Sequence, residues 1–270
     1  MNTILIETND YLKAELIKCE AWEKNQSDLW FWEKLGRLPF KLLDRWTPAF
    51  LQEKMAQTID ELGQYIQSGG RYLSSTEKGK TYYAHLPQVK QFADIASLPL
   101  SEMDKAAQKL MKSRKKIATV QGASTGIGGV FTLSLDIPLL LGLQLKTLQD
   151  MAICYGYDPT EEKERIFILK CLQFVSSDIV GKQAILKQLA LFDSPNKNKD
   201  REVIAEIQGW REVVMTYREQ IGWKKLFQMI PITGLLFGAF INRSTIHDIS
   251  ESAMVLYRKR KILERIALED

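Results

Sequence analysis

Apolar residues recur along this chain at three- and four-residue intervals, and no stretch alternates strictly between apolar and polar positions. That period lines side chains along one face of a helix rather than one face of a strand, so the pattern predicts an all-α fold. From about residue 8 to 25, Leu12, Leu16, Cys19 and Trp22 form a stripe between Lys and Glu positions. Asp28 is placed to cap a second helix through Trp30, Phe31, Trp32 and Leu35, which Gly36 can stop. Pro39 and Pro48 mark breaks, and Met55, Ile59, Leu62 and Ile66 return to helical spacing. Core or helix-face packing is the first reading of Trp22, Trp30, Trp32 and Trp46; their Lys and Arg neighbours make interfacial helices the alternative.

Ser68-Gly69-Gly70 and the polar run Ser74–Lys80 read as a loop between regions. They divide the chain into an N-terminal amphipathic helical region, 1–80, and a helical core domain, 81–270. Beyond Pro99, Ser101 with Glu102 and Asp104 marks a helix start with acids at the positive end of the dipole. This helix carries Met103, Ala106, Ala107, Leu110 and Met111, and its expected end is Lys112–Lys116. Gly156 should close a later helix, with Asp158 and Pro159 as cap and first residue of the next. Asp193–Asp200 is a polar loop, Val203–Tyr217 is helical in period, and Leu226–Ile241 is an uncharged run. A closing helix is expected from about Ser244 to Ala267, with Ile249, Ala253, Leu256, Leu263 and Ala267 as its apolar stripe and Arg258–Lys261 on its other faces.

The most unusual stretch lies between these elements. Gln121-Gly-Ala-Ser-Thr-Gly-Ile-Gly-Gly129 imitates the phosphate-binding turn of short-chain dehydrogenases, in which a strand leads to a glycine-rich turn and a helix N-terminus. More than a hundred residues precede it, no βαβ pattern follows, and the Tyr257-x-x-x-Lys261 pair lies in a basic helix. An NADP-dependent enzyme is therefore a remote alternative. The favoured reading places Gly122 with Gly126, and Thr125 with Gly129, four apart on one helical face, where a partner helix can approach closely. Each helical glycine costs about 1 kcal/mol relative to alanine, so close packing must offset the cost. Asp136 and Pro138 then mark the turning point of a glycine-rich, close-packed apolar hairpin within a multi-helix bundle.

Composition narrows the function classes. With 37 basic and 33 acidic residues the charges nearly balance, which argues against a dedicated nucleic-acid domain. Cys19, Cys154 and Cys171 are few and widely spaced, as in a reducing cytoplasmic setting, and the first residues carry no signal-peptide pattern. His85 and His247 have no ligand-spaced neighbours, and Ser124 lies in no nucleophile-elbow motif, so neither metal nor cofactor is expected. Asp136 is the acid to test. It is read as bonded to backbone at the Pro138 break, with a hydrolase or lipid-handling site as the alternative. Ile117–Leu145 holds one acid, Asp136, and one proline, and Leu226–Ile241 is short for a span. Length therefore favours buried helices over re-entrant hairpins, and either over a simple membrane crossing.

Leu98-Pro-Leu-Ser-Glu-Met-Asp104, the Gln121–Gly129 motif, Asp136-Ile-Pro138, Tyr155-Gly-Tyr-Asp-Pro159 and Ile230-Pro-Ile-Thr-Gly234 leading to Asn242 together resemble the EcsC family, over about residues 95 to 265. The family takes its name from a bacterial protein encoded beside the two subunits of an ABC transporter. The resemblance implies a helical accessory protein without carried-over catalytic residues, peripheral to the cytoplasmic face of the membrane, with ABC transporter subunits as partners and no nucleic acid. An anionic membrane surface is the second expected partner. Its expected contacts are Lys112, Arg114, Lys115, Lys116, Arg258, Lys259, Arg260 and Lys261.

Overall fold

A computed structural model describes residues 7–26, 74–127, 130–177, 179–192 and 234–268. All regular elements among them are helical, as the period of the sequence requires. Helix α1 runs Asn9–Asn25, with the Thr8 hydroxyl accepting from the Tyr11 amide at 3.4 Å as its N-cap. Its stripe falls as expected: Leu12 and Cys19 are buried, and Leu16 and Trp22 pack partly buried against the core. A short helix α2, Gly79–Tyr82, follows a 3-10 turn at Thr76–Lys78. A second 3-10 segment, Phe92–Ser97, leads to the long hairpin of α3, Leu100–Ile127, and α4, Val130–Cys154. Helices α5, Glu162–Ser176, and α6, Ile179–Phe192, come next, and α7, Gly234–Ala267, closes the described chain.

Helix α7 is the axis of the bundle. It packs most extensively on α3 and also on α4, α1 and α5. Its 34 residues span roughly 51 Å at 1.5 Å per residue. One hydrophobic core joins these helices, with Leu100, Met103, Ala107, Leu140, Leu148, Met151, Phe167, Ile249 and Ala253 among its buried members. Tyr257 of α7 sits at the centre of an aromatic group. Its ring is 4.7 Å from Phe167, 5.5 Å from Tyr157 and 6.3 Å from Tyr155, centroid to centroid.

Several boundaries differ from the sequence expectation. Helix α3 continues eleven residues past Lys116, because its apolar period does not stop there and Ala118 is buried beneath neighbouring helices. Pro99 supplies the carbonyl that accepts from the Glu102 and Met103 amides, so the helix begins at Leu100 rather than at Ser101. Asp158 forms a turn, accepting from the Thr160 amide and hydroxyl at 2.9 and 2.7 Å, and α5 starts after Glu161. Helix α7 begins at Gly234, so the end of the second apolar run is its first turns.

Gly156 behaves as anticipated. It has φ +79°, and the Gly156 and Tyr157 amides donate back to the Ile153 and Ala152 carbonyls at 3.0 Å each. This is the Schellman closure of α4. The helices expected at Trp30–Trp32, Leu51–Ile66 and Val203–Tyr217, and the polar loop Asp193–Asp200, lie outside the described residues.

Candidate functional site

Residues 121–127 of the glycine motif are helical. Residues 117–127 belong to α3, so the strand that a dinucleotide-binding turn needs before its glycines is not there. The motif instead leads to the point where α3 gives way to α4, and these two helices pack on each other. Gly122 is buried in this hairpin. Asp136 and Pro138 lie within α4, Val130–Cys154, and do not form a turning point of the hairpin. The side chains of Thr125, Asp136 and Pro138, like Gly126, fall outside the residues whose environment is described, and Gly129 lies outside altogether. Asn242 is fully buried in α7.

The charged residues of the bundle fall into interior ties and an exposed face. Among the ties, Asp150 of α4 is fully buried. It accepts from Ser74 Oγ at 2.6 Å and from Arg114 of α3, and Lys146 Nζ lies 3.6 Å away. Burial pulls the Lys146 ammonium pKa down, partly opposed by the Asp150 carboxylate. Arg258 of α7 bridges two helices: Nε donates to Asp104 at 2.9 Å and Nη2 donates to Glu15 of α1. Tyr155 donates to the same Asp104 at 2.7 Å, and burial, reinforced by that carboxylate, holds the phenol protonated. Arg260 pairs with the buried Glu164 at 2.7 Å and lies 4.1 Å over Tyr157 and 4.8 Å over Phe167.

These ties change the picture of the second basic segment. Arg260 and Lys261 are buried, Arg258 and Lys259 are half-buried, and all four meet carboxylates of this chain. Lys259 pairs with Glu23 and Lys261 with Glu264, at 2.7 and 2.8 Å. The expectation that Arg258–Lys261 lie on the faces away from the core is therefore corrected. Acids arriving from α1, α3 and α5 draw Arg258, Lys259 and Arg260 inward, whereas Lys261 pairs within α7 and lies 4.2 Å over the Tyr157 ring. Arg114 likewise turns inward to Asp150, whereas Lys112 and Lys116 are exposed and Lys115 is half-buried.

The exposed large apolar side chains of the hairpin are also unevenly placed. Ile117 and Val120 lie in the last turns of α3, Leu139 in the first half of α4 and Phe240 near the start of α7. Arg243 Nη1 donates to Thr119 Oγ1 at 3.4 Å, which brings the start of α7 beside the end of α3. The four side chains lie in the parts of α3, α4 and α7 nearer residues 127, 130 and 234, and Tyr11 and Ile17 of α1 and Leu268 are exposed as well.

A model of the EcsC protein family matches residues 13–262. The chain belongs to the EcsC family. The match begins within α1, well before the motifs that carry the sequence resemblance, and ends within α7. YdbA of Bacillus subtilis (strain 168) is 52% identical over 263 residues, covering 96% of this chain and 96% of that protein. Protein EcsC of the same organism is 31% identical over 171 residues, covering 63% of this chain and 69% of its own. No solved structure matches the chain. The interior ties thus lie within the family-matched region: Glu15, Arg114, Asp150, Glu164, Arg258 and Arg260 all fall between its ends.

Proposed function

We propose that this EcsC-family chain is a helical accessory protein, without catalytic activity of its own, that works peripherally at the cytoplasmic face of the membrane. The observation that supports this most is the exposure of Ile117, Val120, Leu139 and Phe240 on the parts of α3, α4 and α7 nearer residues 127, 130 and 234. Large apolar side chains left on the surface are suited to the boundary between headgroups and acyl chains, where a shallow contact removes them from water. None of the described helices is long and apolar enough to cross a membrane, which agrees with a peripheral attachment rather than a span. The free thiols of Cys19, Cys154 and Cys171, all buried, fit a reducing compartment. The partner that the family resemblance implies is an ABC transporter.

Cell fractionation followed by crosslinking and mass spectrometry tests the reading. The full chain is expected in the membrane fraction, released by washing without detergent, with crosslinks to transporter subunits. Recovery wholly in the soluble fraction, with Ile117→Ser/Val120→Ser/Phe240→Ser behaving identically, overturns it.

A further inference from the structure

Helix α3 changes character after its first turn. Its acids are Glu102 and Asp104 alone, and from Lys105 to Ile127 it carries six basic residues and no acid. Two of the six are accounted for differently: Arg114 turns inward to Asp150, and Lys115 is half-buried. The other four, Lys105, Lys109, Lys112 and Lys116, are all exposed. Their spacing of four, three and four residues keeps them within a sector of about 60° on the helix, in a row roughly 16 Å long. Lys105 is tied to Glu102 at 2.6 Å, which sets one end of the row. Val120 stands one turn beyond Lys116 and is 70% exposed, so the row passes from charge to hydrocarbon without leaving its face. Arg243, exposed on α7, lies against this helix through Thr119.

From this arrangement we infer that Lys109, Lys112 and Lys116, with Arg243 beside them, form a docking face for anionic phospholipid headgroups. The inference rests on the membrane-face reading above and adds which residues meet the anionic headgroups, bringing in Lys109 and Arg243 and leaving out Arg114 and Arg258–Lys261, and how the bundle lies. Charge complementarity supplies the argument. A row of ammonium groups on flexible stems meets a layer of phosphates, and the stems can reach phosphates at slightly different depths. Val120 then enters just below that layer, and α3 lies along the surface instead of pointing into it. Attraction of this kind is screened by salt and absent from a zwitterionic surface.

Vesicle sedimentation with the full chain decides the matter. At about 50 mM salt, wild type is expected to bind phosphatidylcholine vesicles containing roughly 25% phosphatidylglycerol, and to bind pure phosphatidylcholine far more weakly. The variant K109Q/K112Q/K116Q, at exposed helical positions where Gln is nearly as good a helix former, should melt like wild type. Its partitioning onto the anionic vesicles should fall by on the order of 100-fold, about fivefold per lysine. If the variant binds those vesicles within about twofold of wild type, the lysine row is not the docking face, although the membrane reading stands. If wild type binds neither vesicle, the membrane reading fails and takes this inference with it. Wild type that ignores vesicles but binds single-stranded RNA through the same lysines would assign the row to another polyanion and overturn the lipid assignment.

Discussion

Arg114 and Asp150 meet inside the hairpin although 36 residues separate them in the chain, and the carboxylate they share with Ser74 has no exposure to solvent. A buried ion pair of this kind is expensive to break from one side, because the remaining charge has lost its partner and cannot reach water. Asp150→Asn is therefore expected to lower the unfolding free energy by about 3 kcal/mol or more. Replacing both partners by apolar residues, Arg114→Met with Asp150→Leu, should recover most of the loss. Chemical denaturation of Arg114→Met, Asp150→Leu and the double variant closes the cycle and measures the coupling directly. Additive losses in the double variant would show that the pair is not a unit.

Glu15 links acid pH to the attachment of α1. Burial acts to raise the pKa of its carboxyl, but the hydrogen bonds from Lys18 and Arg258 outweigh it and hold the group below the usual 4.5. The unfolded chain therefore binds the proton first as pH falls. The stabilisation is fully present above 4.5 and disappears as pH drops through the lower folded value. Glu15→Gln should melt below wild type at neutral pH by an amount equivalent to about 1–3 kcal/mol. The two midpoints should converge as the solution is taken below pH 4.5. Thermal melts across that range check the sign; a gap that widens in acid would contradict it.

Two glycines should respond in opposite directions to alanine. At Gly156 the backbone has φ +79°, and an added Cβ would stand 3.0 Å from the backbone of Ala96. Gly156→Ala should cost at least about 1–2 kcal/mol from the left-handed conformation alone. At Gly142, inside α4, an added Cβ meets nothing within 4 Å. Gly142→Ala should stabilise by about 0.5–1 kcal/mol, the ordinary helical preference. Paired melting curves test both, and a destabilised Gly142→Ala would mean that its surroundings are tighter than the geometry indicates.

Much of the helical layout is legible in the sequence, because burial of α1, α4 and α5 follows a local period that neighbouring residues display. The Gly156 stop is legible for the same reason: its signal is one residue with one conformational property. The fate of the charged residues is not. Lys112–Lys116 resembles a helix end because basic side chains favour that position, yet α3 runs on to Ile127. Arg258–Lys261 resembles a solvated face, since the acids that draw it inward come from Glu15, Glu23, Asp104 and Glu164, most of them well over a hundred residues away. No local pattern announces such partners. Lys112 and Lys116 are legible as contacts for an anionic surface; Lys105 and Lys109, which share their helical face, are missed because 112–116 reads as a separate helix end.

The position of α7 in the chain has a consequence for how the protein is made. This helix supplies the arginines for Glu7, Glu15, Asp104 and Glu164, and packs on α1, α3, α4 and α5. It is also translated after every one of them. At about 5–20 residues per second, the earlier helices wait on the ribosome with uncovered apolar faces and unanswered carboxylates. Their packing can be completed only when this long helix leaves the exit tunnel. A nascent chain arrested before residue 234 should accordingly be a client for chaperones, and one with all of α7 outside the ribosome should release them.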